Sequence, residues 1–448
     1  MARIFPFRAF RYDATRFDLA RVLTQPYDKI TPAMQERYYA LDPHNLVRIE
    51  KGREEPGDSA QLNVYTRAAQ TMDSWIREGA LRQDAVPSLY ACSQEFTVPG
   101  SNERRVRRGF VALLGLEDYA AGVVFRHEQT HTAARVDRFE TLRHTRAHTG
   151  QLLMLYDDAG SRVTSLLDPV MRQAPENELT DEFGVVHRLW PISDVAAVKA
   201  LVDAMADKKL LIGDGHHRYE TSLAFRNECR DRAGGSSPDA PHEKTLVTLF
   251  ALGDSGVAVL PTHRTVDGLP GLDFAAFRKS LTGIFDWYAY PFTDASQRGP
   301  ALAEFRRDLA ARPKGETARR VIGVYPARGN AFYLFVLRTD ADLGGLLGDV
   351  PEAQRTLDVV LLHRLLLERK LGMMAEAVER EKNIRYHRDA AEALAAVDSG
   401  AAQIAFLLNP LPARQVYDLA LAGNVLPQKS TDFYPKLLSG LAIYRLDG

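Results

Sequence analysis

Short apolar stretches with alternating helical and strand-like spacing run along the whole chain. Residues 59–78 place apolar side chains three or four positions apart, which predicts an amphipathic helix. Four apolar runs bounded by glycine or polar residues are typical of strands: 88–97, 108–114, 123–126 and 152–156. The runs 321–325 and 332–337 flank a polar turn and predict a hairpin. Because helices and strands alternate without a repeat, we expect an α+β fold with mixed sheets and packed helices.

Other local patterns predict where elements end and where domains divide. Residues 41–50 should end a helix and then start a strand, and the strongly apolar segment 357–371 predicts a core helix. A Gly- and Pro-rich stretch at 267–272 predicts a linker. Since 448 residues exceed one hydrophobic core, we expect an N-terminal α+β domain over 1–266 and a C-terminal α+β domain over 267–448.

Composition narrows the class of protein. A net charge of −1 gives no reason to expect a surface that coats nucleic acid or an anionic membrane. No apolar run approaches the length of a spanning helix, and the N-terminus has no secretory pattern, so we expect a cytoplasmic protein without a membrane partner. The two cysteines, Cys92 and Cys229, are too few for a disulfide framework or a zinc knuckle.

The strongest chemical signal is a turn between a predicted strand and a predicted helix. The apolar run 210–212 reads as a buried strand, Gly213 and Gly215 bracket Asp214, and helical spacing begins at about Tyr219. A glycine-punctuated turn that opens a helix exposes backbone N–H groups at the positive end of the helix dipole. The pattern therefore predicts an anion-binding turn, although a solvated polar loop would show the same spacing.

The side chains of this turn favour phosphate chemistry. Arg218 offers a planar fork for a phosphate, and His216 and His217 add donors near neutral pH. Asp214 would repel a bound phosphate unless it holds Mg²⁺ or takes a proton from an attacking hydroxyl group. The sequence has no P-loop, no dinucleotide-binding Gly-x-Gly-x-x-Gly after a strand and no Gly-x-Ser-x-Gly elbow. With these three motifs absent, the sequence favours phosphoryl transfer at the Asp214 turn.

A second motif matches the His-Glu-x-x-His pattern of zinc peptidases at His127, Glu128 and His131. A zinc peptidase needs both histidines one turn apart on a helix. The β-branched run 123–126, which follows a glycine, favours a strand that ends at His127. We therefore expect no resident metal site, and we keep Glu128 as a candidate for base catalysis.

Several other positions are candidate substrate-binding residues. The candidates lie in the turn after residue 24, at the end of an apolar run and in the last loop: Tyr27, Asp28, His263, Arg264, Lys429 and Ser430. The last loop holds two lysines and two hydroxyl groups between prolines, which suits an anionic ligand or a structural C-terminal loop equally well. Glu50 is a further acid that could face the site.

The chain resembles the bacterial and archaeal family called domain of unknown function 1015. The resemblance rests on six blocks: Gln25-Pro26-Tyr27-Asp28, His127-Glu128-x-Thr130, Asp137-Arg138, residues 213–221, Pro261-Thr262-His263-Arg264 and residues 427–436. His131 departs from the usual pattern of the second block, which indicates that the peptidase match is accidental.

The turn Asp214-Gly215-His216-His217-Arg218 also resembles the phosphate-binding turn of ParB-type partition proteins, sulfiredoxin and the archaeal free-serine kinase. This resemblance implies a ParB/sulfiredoxin-like nucleotide-binding core that uses ATP or ADP with Mg²⁺. It also implies that Asp214 is a catalytic carboxylate. The phosphate cradle would be formed by Gly213, Gly215, His216, His217 and Arg218.

The resulting prediction is a nucleotide-dependent phosphotransferase that acts on a small hydroxylated metabolite, with free serine as the first candidate. The alternatives are a nucleotide-binding ParB-like protein associated with DNA and a zinc metallopeptidase. The near-zero net charge and the lack of a recognisable basic recognition helix argue against a nucleic-acid partner. The acceptor, the direction of transfer and the oligomeric state stay open.

Overall fold

A computed structural model describes residues 1–128, 132–311, 320–374 and 382–447. The chain divides into two compact units. The first comprises Met1–Ala258 together with Phe433–Gly448, and the second comprises Val259–Asp432.

The described strands are numbered in chain order. They are β1 Ile4–Phe5, β2 Phe10–Tyr12, β3 Leu81–Gln83, β4 Leu89–Thr97, β5 Arg104–Gly115, β6 Val124–Phe125, β7 Ala147–His148, β8 Leu152–Tyr156, β9 Asn177–Thr180, β10 Val186–Ile192, β11 Leu210–Asp214, β12 Lys244–Ala251, β13 Ala258–Leu260, β14 His263–Val266, β15 Phe285–Pro291, β16 Val321–Pro326, β17 Ala331–Leu337, β18 Ile384–His387, β19 Ile404–Leu407, β20 Asp432–Tyr434 and β21 Tyr444–Arg445.

The α-helices are numbered in the same way. They are α1 Leu19–Val22, α2 Pro32–Leu41, α3 Val47–Glu50, α4 Val64–Arg77, α5 Thr132–Thr145, α6 Arg162–Met171, α7 Val195–Met205, α8 His216–Ala233, α9 Phe274–Lys279, α10 Ala295–Ala310, α11 Leu343–Leu346, α12 Asp358–Val360, α13 Ala390–Asp398 and α14 Ala413–Leu421. A π-helix, Leu361–Lys370, continues α12, and short 3-10 turns occur at Tyr27–Lys29, Tyr119–Ala121, Pro241–Glu243 and Glu352–Gln354.

A mixed sheet forms the core of the first unit. Its strand order is β6-β11-β8-β12-β5-β4-β10-β9, and β1 pairs with β5. β11 runs parallel to β6 and antiparallel to β8, while β8 runs parallel to β12. Helix α8 packs on β8 and β12, and α5 packs on α8. This arrangement places the end of β11 and the start of α8 beside the first residues of β8.

An antiparallel sheet organises the second unit, in the order β15-β17-β16-β19-β14-β18. The hairpin predicted over 321–337 is confirmed as β16 and β17, which pair antiparallel. Phe305 of α10 and Phe332 of β17 are fully buried and lie nearly parallel, 5.4 Å between ring centres. Both units combine sheets with packed helices, so the predicted α+β class is confirmed.

The structure contradicts two of the local predictions made from the sequence. The strand expected at the end of 41–50 is wrong, because Val47–Glu50 is a helical turn, and its first N–H, that of Val47, donates to the Asn45 side chain at 3.0 Å. The helix after the Asp214 turn begins at His216 and not near Tyr219. In the described residues no helix combines the length and the apolar character that crossing a bilayer requires.

The two compact units group the chain differently from the predicted domains, whose division at 266/267 stays a prediction. β14, which ends at Val266, belongs to the sheet of the second unit. The segment from Phe433 onward returns to the first unit, as shown by β21 pairing with β7. This return brings the end of the last loop, from Phe433 to Lys436, into the unit that holds Asp214.

Candidate functional site

The turn between β11 and α8 is built by burial and by two glycines. Residues 210–212 have no exposed surface, so the strand is held in the core up to Gly213. A methyl group at Gly213 would lie 2.5 Å from the Leu153 side chain. Gly215 is left-handed with φ +96°, a conformation that favours glycine, and it caps α8. The turn therefore directs the first N–H groups of α8 and the Asp214 side chain to the same end of the strand.

Asp214 lies between two cations. Its Oδ1 accepts a hydrogen bond from Lys436 Nζ at 3.1 Å, and its Oδ2 accepts one from Arg218 Nη2 at 3.2 Å. Burial by itself would raise the pKa of Asp214, but the charges of Lys436, Arg218 and Lys29 outweigh burial and hold this pKa far below its usual range. The side chain keeps 23% of its surface exposed, so an ionised carboxylate faces solvent among cations.

The Arg218 guanidinium group binds the backbone just before β8, and one of its N–H groups has no partner among the described residues. Its Nη1 donates to the Gln151 carbonyl oxygen at 2.7 Å. Its Nε is buried and has no hydrogen-bond partner among the described residues. Gly150 leaves room for this guanidinium group, because a methyl group there would lie 2.9 Å from Nη1. A buried guanidinium group with an unused N–H beside a helix N-terminus can accept an anionic ligand.

His216 pairs with His127 beside the turn. The two rings meet edge to face with centres 4.7 Å apart, and the backbone N–H of His127 donates to His216 Nε2 at 3.5 Å. In the His127 ring, Nδ1 donates to the Ile212 carbonyl oxygen at 2.8 Å. Burial lowers the pKa of both imidazoles, so both are neutral in the folded protein. His216 thus supports the turn through His127, whereas the half-buried His217 stays a candidate phosphate ligand.

Glu128 follows β6, and its Oε1 is 3.7 Å from His127 Nε2. His127 lies between β6 and α5, outside any helix, as the sequence predicted. His131 lies outside the described residues. A zinc peptidase of this motif carries its first histidine on a helix, so the geometry of His127 does not support the peptidase alternative. In the described part of the chain, no cluster of three His, Cys, Asp or Glu side chains is arranged to hold a metal ion.

The turn Tyr27–Lys29 lies close to the Asp214 cluster. Burial and the charge of Asp28 raise the pKa of Tyr27 to about 12, and the charges of Arg218 and Asp214 also act on this hydroxyl group. The guanidinium group of Arg138 lies over the Tyr27 ring at 4.2 Å. The structure therefore brings the predicted substrate-binding residue Tyr27 near the predicted catalytic carboxylate, and Asp28 follows it in the same turn.

Glu50 has a structural role in the first unit. Its carboxylate is buried and accepts hydrogen bonds from the hydroxyl groups of Thr149 and Ser439. Its backbone carbonyl oxygen accepts a hydrogen bond from Arg138 Nη1 at 2.8 Å. Glu50 Oε1 would also lie 3.4 Å from a methyl group at Gly150, so this carboxylate borders the space that holds Arg218.

The remaining predicted substrate-binding residues belong to the second unit. His263 and Arg264 are buried on β14, and burial lowers the pKa of His263 to about 4. Arg264 Nη2 donates to the Lys429 carbonyl oxygen at 2.8 Å, and the Ser430 hydroxyl group donates to a backbone carbonyl of its own loop, that of Pro427. Within this unit Arg264 and Ser430 thus support the loop backbone, and a role for these four residues in substrate binding stays a prediction.

Sequence reasoning missed Lys436 as a site residue. The last loop contains both Lys429 and Lys436, and the candidate substrate-binding residues include only Lys429. Lys436 is 8% exposed and is the lysine that binds Asp214. The sequence signal was present, in the position of Lys436 next to Pro435 within an aromatic loop, but the pairing with Asp214 is not visible in the sequence.

Comparisons relate the chain to known proteins. The family described as "Protein of unknown function (DUF1015)" matches residues 4–360, which confirms the predicted family. No curated protein matches the chain. Among solved structures, a conserved hypothetical protein from Pyrococcus furiosus is similar at a TM-score of 0.32 and 14% identity, over 72% of this chain and 93% of that chain.

Two further solved structures are similar to this chain at comparable TM-scores. Free serine kinase in complex with AMP has a TM-score of 0.32 and 14% identity, over 71% of this chain and 89% of that chain. SbnI with C-terminal truncation from Staphylococcus aureus has a TM-score of 0.34 and 10% identity, over 74% of this chain and 87% of that chain. The function proposed below depends on the site geometry and not on these distant likenesses.

Proposed function

This chain belongs to the DUF1015 family, and from this premise we propose that it is a nucleotide-dependent phosphotransferase acting on the hydroxyl group of a small metabolite. The single observation that carries the proposal is the Asp214 carboxylate held between Lys436 and Arg218 at the N-terminus of α8. Phosphoryl transfer needs positive charge around the transferred group and a carboxylate near the attacking oxygen.

The charge balance of the cluster favours an anion. Lys436 and Arg218 both contact Asp214, so two cations meet one carboxylate. Lys29, whose ammonium group lies 4.0 Å from the Asp28 carboxylate, also acts on Asp214. The N–H groups of the first turn of α8 add the partial positive charge of a helix N-terminus. A phosphate chain would compensate the excess positive charge and would use the Arg218 Nε that lacks a partner among the described residues. These features support nucleotide phosphates as the ligand.

Asp214 is the group that would handle the proton of the acceptor. In the transfer, the acceptor hydroxyl oxygen forms a bond to the terminal phosphorus, the bond from phosphorus to the leaving phosphate oxygen breaks, and Asp214 takes the hydroxyl proton. Bound phosphates would compete for the charges of Lys436 and Arg218, which would raise the pKa of Asp214 and make it a better base. The low pKa of Asp214 in the protein without ligand thus supports a carboxylate that becomes an effective base only after the nucleotide binds.

The Asp214 carboxylate would hold a magnesium ion only together with the phosphates of a bound nucleotide. Mg²⁺ in phosphoryl-transfer sites is held by one or two carboxylates and by substrate phosphates. Asp214 supplies one carboxylate with exposed surface. Bound Mg²⁺ would neutralise charge on the phosphates, while this chain positions the phosphates and the proton acceptor.

The test is a binding screen followed by a product assay. Thermal unfolding with ATP, ADP or AMP should show stabilisation by at least one nucleotide, because a ligand that binds only the folded state raises the unfolding temperature. Incubation with ATP or ADP, Mg²⁺ and free serine, with homoserine and threonine as further acceptors, should then yield a phosphorylated amino acid in mass spectra. The proposal fails if no nucleotide shifts the unfolding temperature.

A further inference from the structure

Two buried side chains hold the backbone that carries Lys436. The amide Nε2 of Gln94 donates to the Lys436 carbonyl oxygen at 2.9 Å. The guanidinium group of Arg107 donates to the two preceding carbonyl oxygens, those of Tyr434 (3.3 Å) and Pro435. Three successive carbonyl groups of the returning segment are therefore bound by side chains of β4 and β5.

Gln94 and Arg107 form one unit. They lie directly opposite each other in the antiparallel pairing of β4 and β5. Gln94 Oε1 accepts hydrogen bonds from Arg107 Nε at 3.2 Å and from Arg107 Nη2. The Arg107 guanidinium group also lies over the Phe250 ring at 4.4 Å. Cross-strand neighbours on the same face of a sheet restrain each other's side chains, so both donors have one defined position.

Arg107 is an unusual residue to bury for stability alone. It has no exposed surface, and across the described ranges no carboxylate lies within ion-pair distance of it. Burial lowers its pKa to about 10, which leaves it charged at neutral pH. Asp254 and Asp214 act on this charge from beyond ion-pair distance, and burying a charge that contacts no carboxylate costs folding free energy. A role in placing the bound carbonyl groups accounts for this cost.

A second layer fixes the orientation of the Gln94 amide. Its Nε2 also lies 3.4 Å from Nδ1 of His187, and His187 Nε2 lies 3.1 Å from Asp181 Oδ2. Asp181 is ionised: burial would raise its pKa, but hydrogen bonds from His187 and from backbone N–H groups lower it. An ionised carboxylate only accepts, so His187 carries its proton on Nε2 and accepts from Gln94 on Nδ1. The Gln94 amide nitrogen thus donates to the Lys436 carbonyl oxygen and to His187 Nδ1, while its oxygen accepts from Arg107.

We propose that Gln94 and Arg107 are positioning residues that hold Lys436 on Asp214 and thereby complete the anion site. The inference deepens the proposed function and rests on it for the consequence in ligand binding. The contacts that position Lys436 exist without any ligand. Loss of the Gln94 donor should free the Lys436 backbone, and the ammonium group should then leave the carboxylate.

The direct test measures the reactivity of Lys436 in the full-length protein. Acylation by an N-hydroxysuccinimide ester, followed by mass spectrometry, reports how often each lysine amine is free and open to solvent. Gln94→Leu should raise the acylation rate of Lys436 by about tenfold or more, since local opening governs the reactivity of a protected group. Lys199, which is exposed, should react at an unchanged rate in the same sample.

Matched variants separate positioning from loss of stability. Gln354→Leu makes the same chemical change at a buried glutamine that binds Asn424 and Val425 in the second unit, and it should leave the Lys436 rate unchanged. Gln94→Glu is the second variant, because it keeps the size and removes both donors. An unchanged Lys436 rate in folded Gln94→Leu and Gln94→Glu proteins would overturn the inference.

A double-mutant cycle tests whether Gln94 affects nucleotide binding through Lys436. ADP affinity should fall in Gln94→Leu and in Lys436→Met, and the double variant should bind no more weakly than Lys436→Met alone, because both act through one ammonium group. Additive losses would contradict positioning. If the wild-type protein binds none of ATP, ADP and AMP, the proposed function fails, while the acylation result still decides the positioning role.

Discussion

Lys436 and Asp214 lie 222 positions apart in the chain, and the Lys436 ammonium nitrogen is 3.1 Å from Asp214 Oδ1. Asp214 ends a strand of the first unit, whereas Lys436 arrives with the segment that returns to this unit from the second one. The pair sets the charge of the carboxylate, because Lys436 is the strongest of the cations that lower the pKa of Asp214.

Asp214→Asn should separate catalysis from binding. Removing the carboxylate removes the proton acceptor, so kcat should fall by about 10²–10⁴-fold, the usual size of general-base catalysis. ADP affinity should stay equal or become higher, since a negative charge next to the phosphates is lost. Steady-state kinetics and calorimetry check both values. Asp207→Asn changes an exposed carboxylate and should alter neither.

Arg218→Ala should weaken nucleotide binding. A hydrogen bond to a charged group contributes about 1.5–3 kcal/mol, so the dissociation constant for ADP should rise by about 10- to 100-fold. Titration calorimetry measures this change. Arg232→Ala removes an exposed arginine of the same helix that pairs with Glu228, and it serves as the control. Equal affinities in Arg218→Ala and wild type would place the phosphates elsewhere.

Gly150→Ala should damage the site through packing alone. The added methyl group would lie 2.9 Å from Arg218 Nη1 and 3.0 Å from the Ser439 hydroxyl oxygen, so the guanidinium group must move. We expect weaker ADP binding with a folded protein, seen as a smaller thermal shift at equal ADP concentration. Gly160→Ala adds the same group where nothing lies within 4 Å and should bind ADP like wild type.

Lys436→Met should change the acid dependence of stability. The folded pKa of Asp214 lies below its value in the unfolded chain, about 3.9, so the ion pair stabilises the fold above that pH and its contribution is lost as pH falls through the folded pKa. The stability difference between wild type and variant should therefore be largest at neutral pH and shrink in acid. Urea unfolding at several pH values measures it, with Lys199→Met as the exposed control. A difference that grows in acid would contradict the assignment.

The His127–His216 pair predicts a loss of stability on mild acidification. Burial lowers the pKa of both imidazoles in the fold, whereas a histidine in the unfolded chain titrates near 6.5. As pH falls below that value, the unfolded chain binds protons that the folded chain does not, and folding becomes less favourable. His127→Asn keeps an N–H for the Ile212 carbonyl oxygen and should reduce the drop in unfolding midpoint between pH 7.5 and pH 5.5. An equal drop in both proteins would show that His127 does not titrate in this way.

Local sequence signals predicted the part of the site that lies within a few residues. The apolar run 210–212 and its two glycines predicted the strand and the turn. The ion pair between Asp214, which ends the strand, and Arg218, which lies in the helix, depends on the left-handed turn at Gly215. Local signals misread residues 46–50, because the apolar spacing did not show the helical turn whose first N–H donates to the Asn45 side chain. His216 was predicted to form part of the phosphate cradle, and in the structure its ring packs against His127.

By itself the sequence determined the family, through the motif blocks that resemble it. It also determined the α+β class and the Asp214 turn, since apolar patterns, glycine positions and helical spacing act over short stretches of chain. Only the tertiary structure decided that Lys436 is the lysine on Asp214 and that Gln94 and Arg107 hold its backbone. The physical reason is that these contacts join a cross-strand pair, a returning segment and a strand end. Their distances depend on how the sheet orders its strands, which no local pattern of residues records.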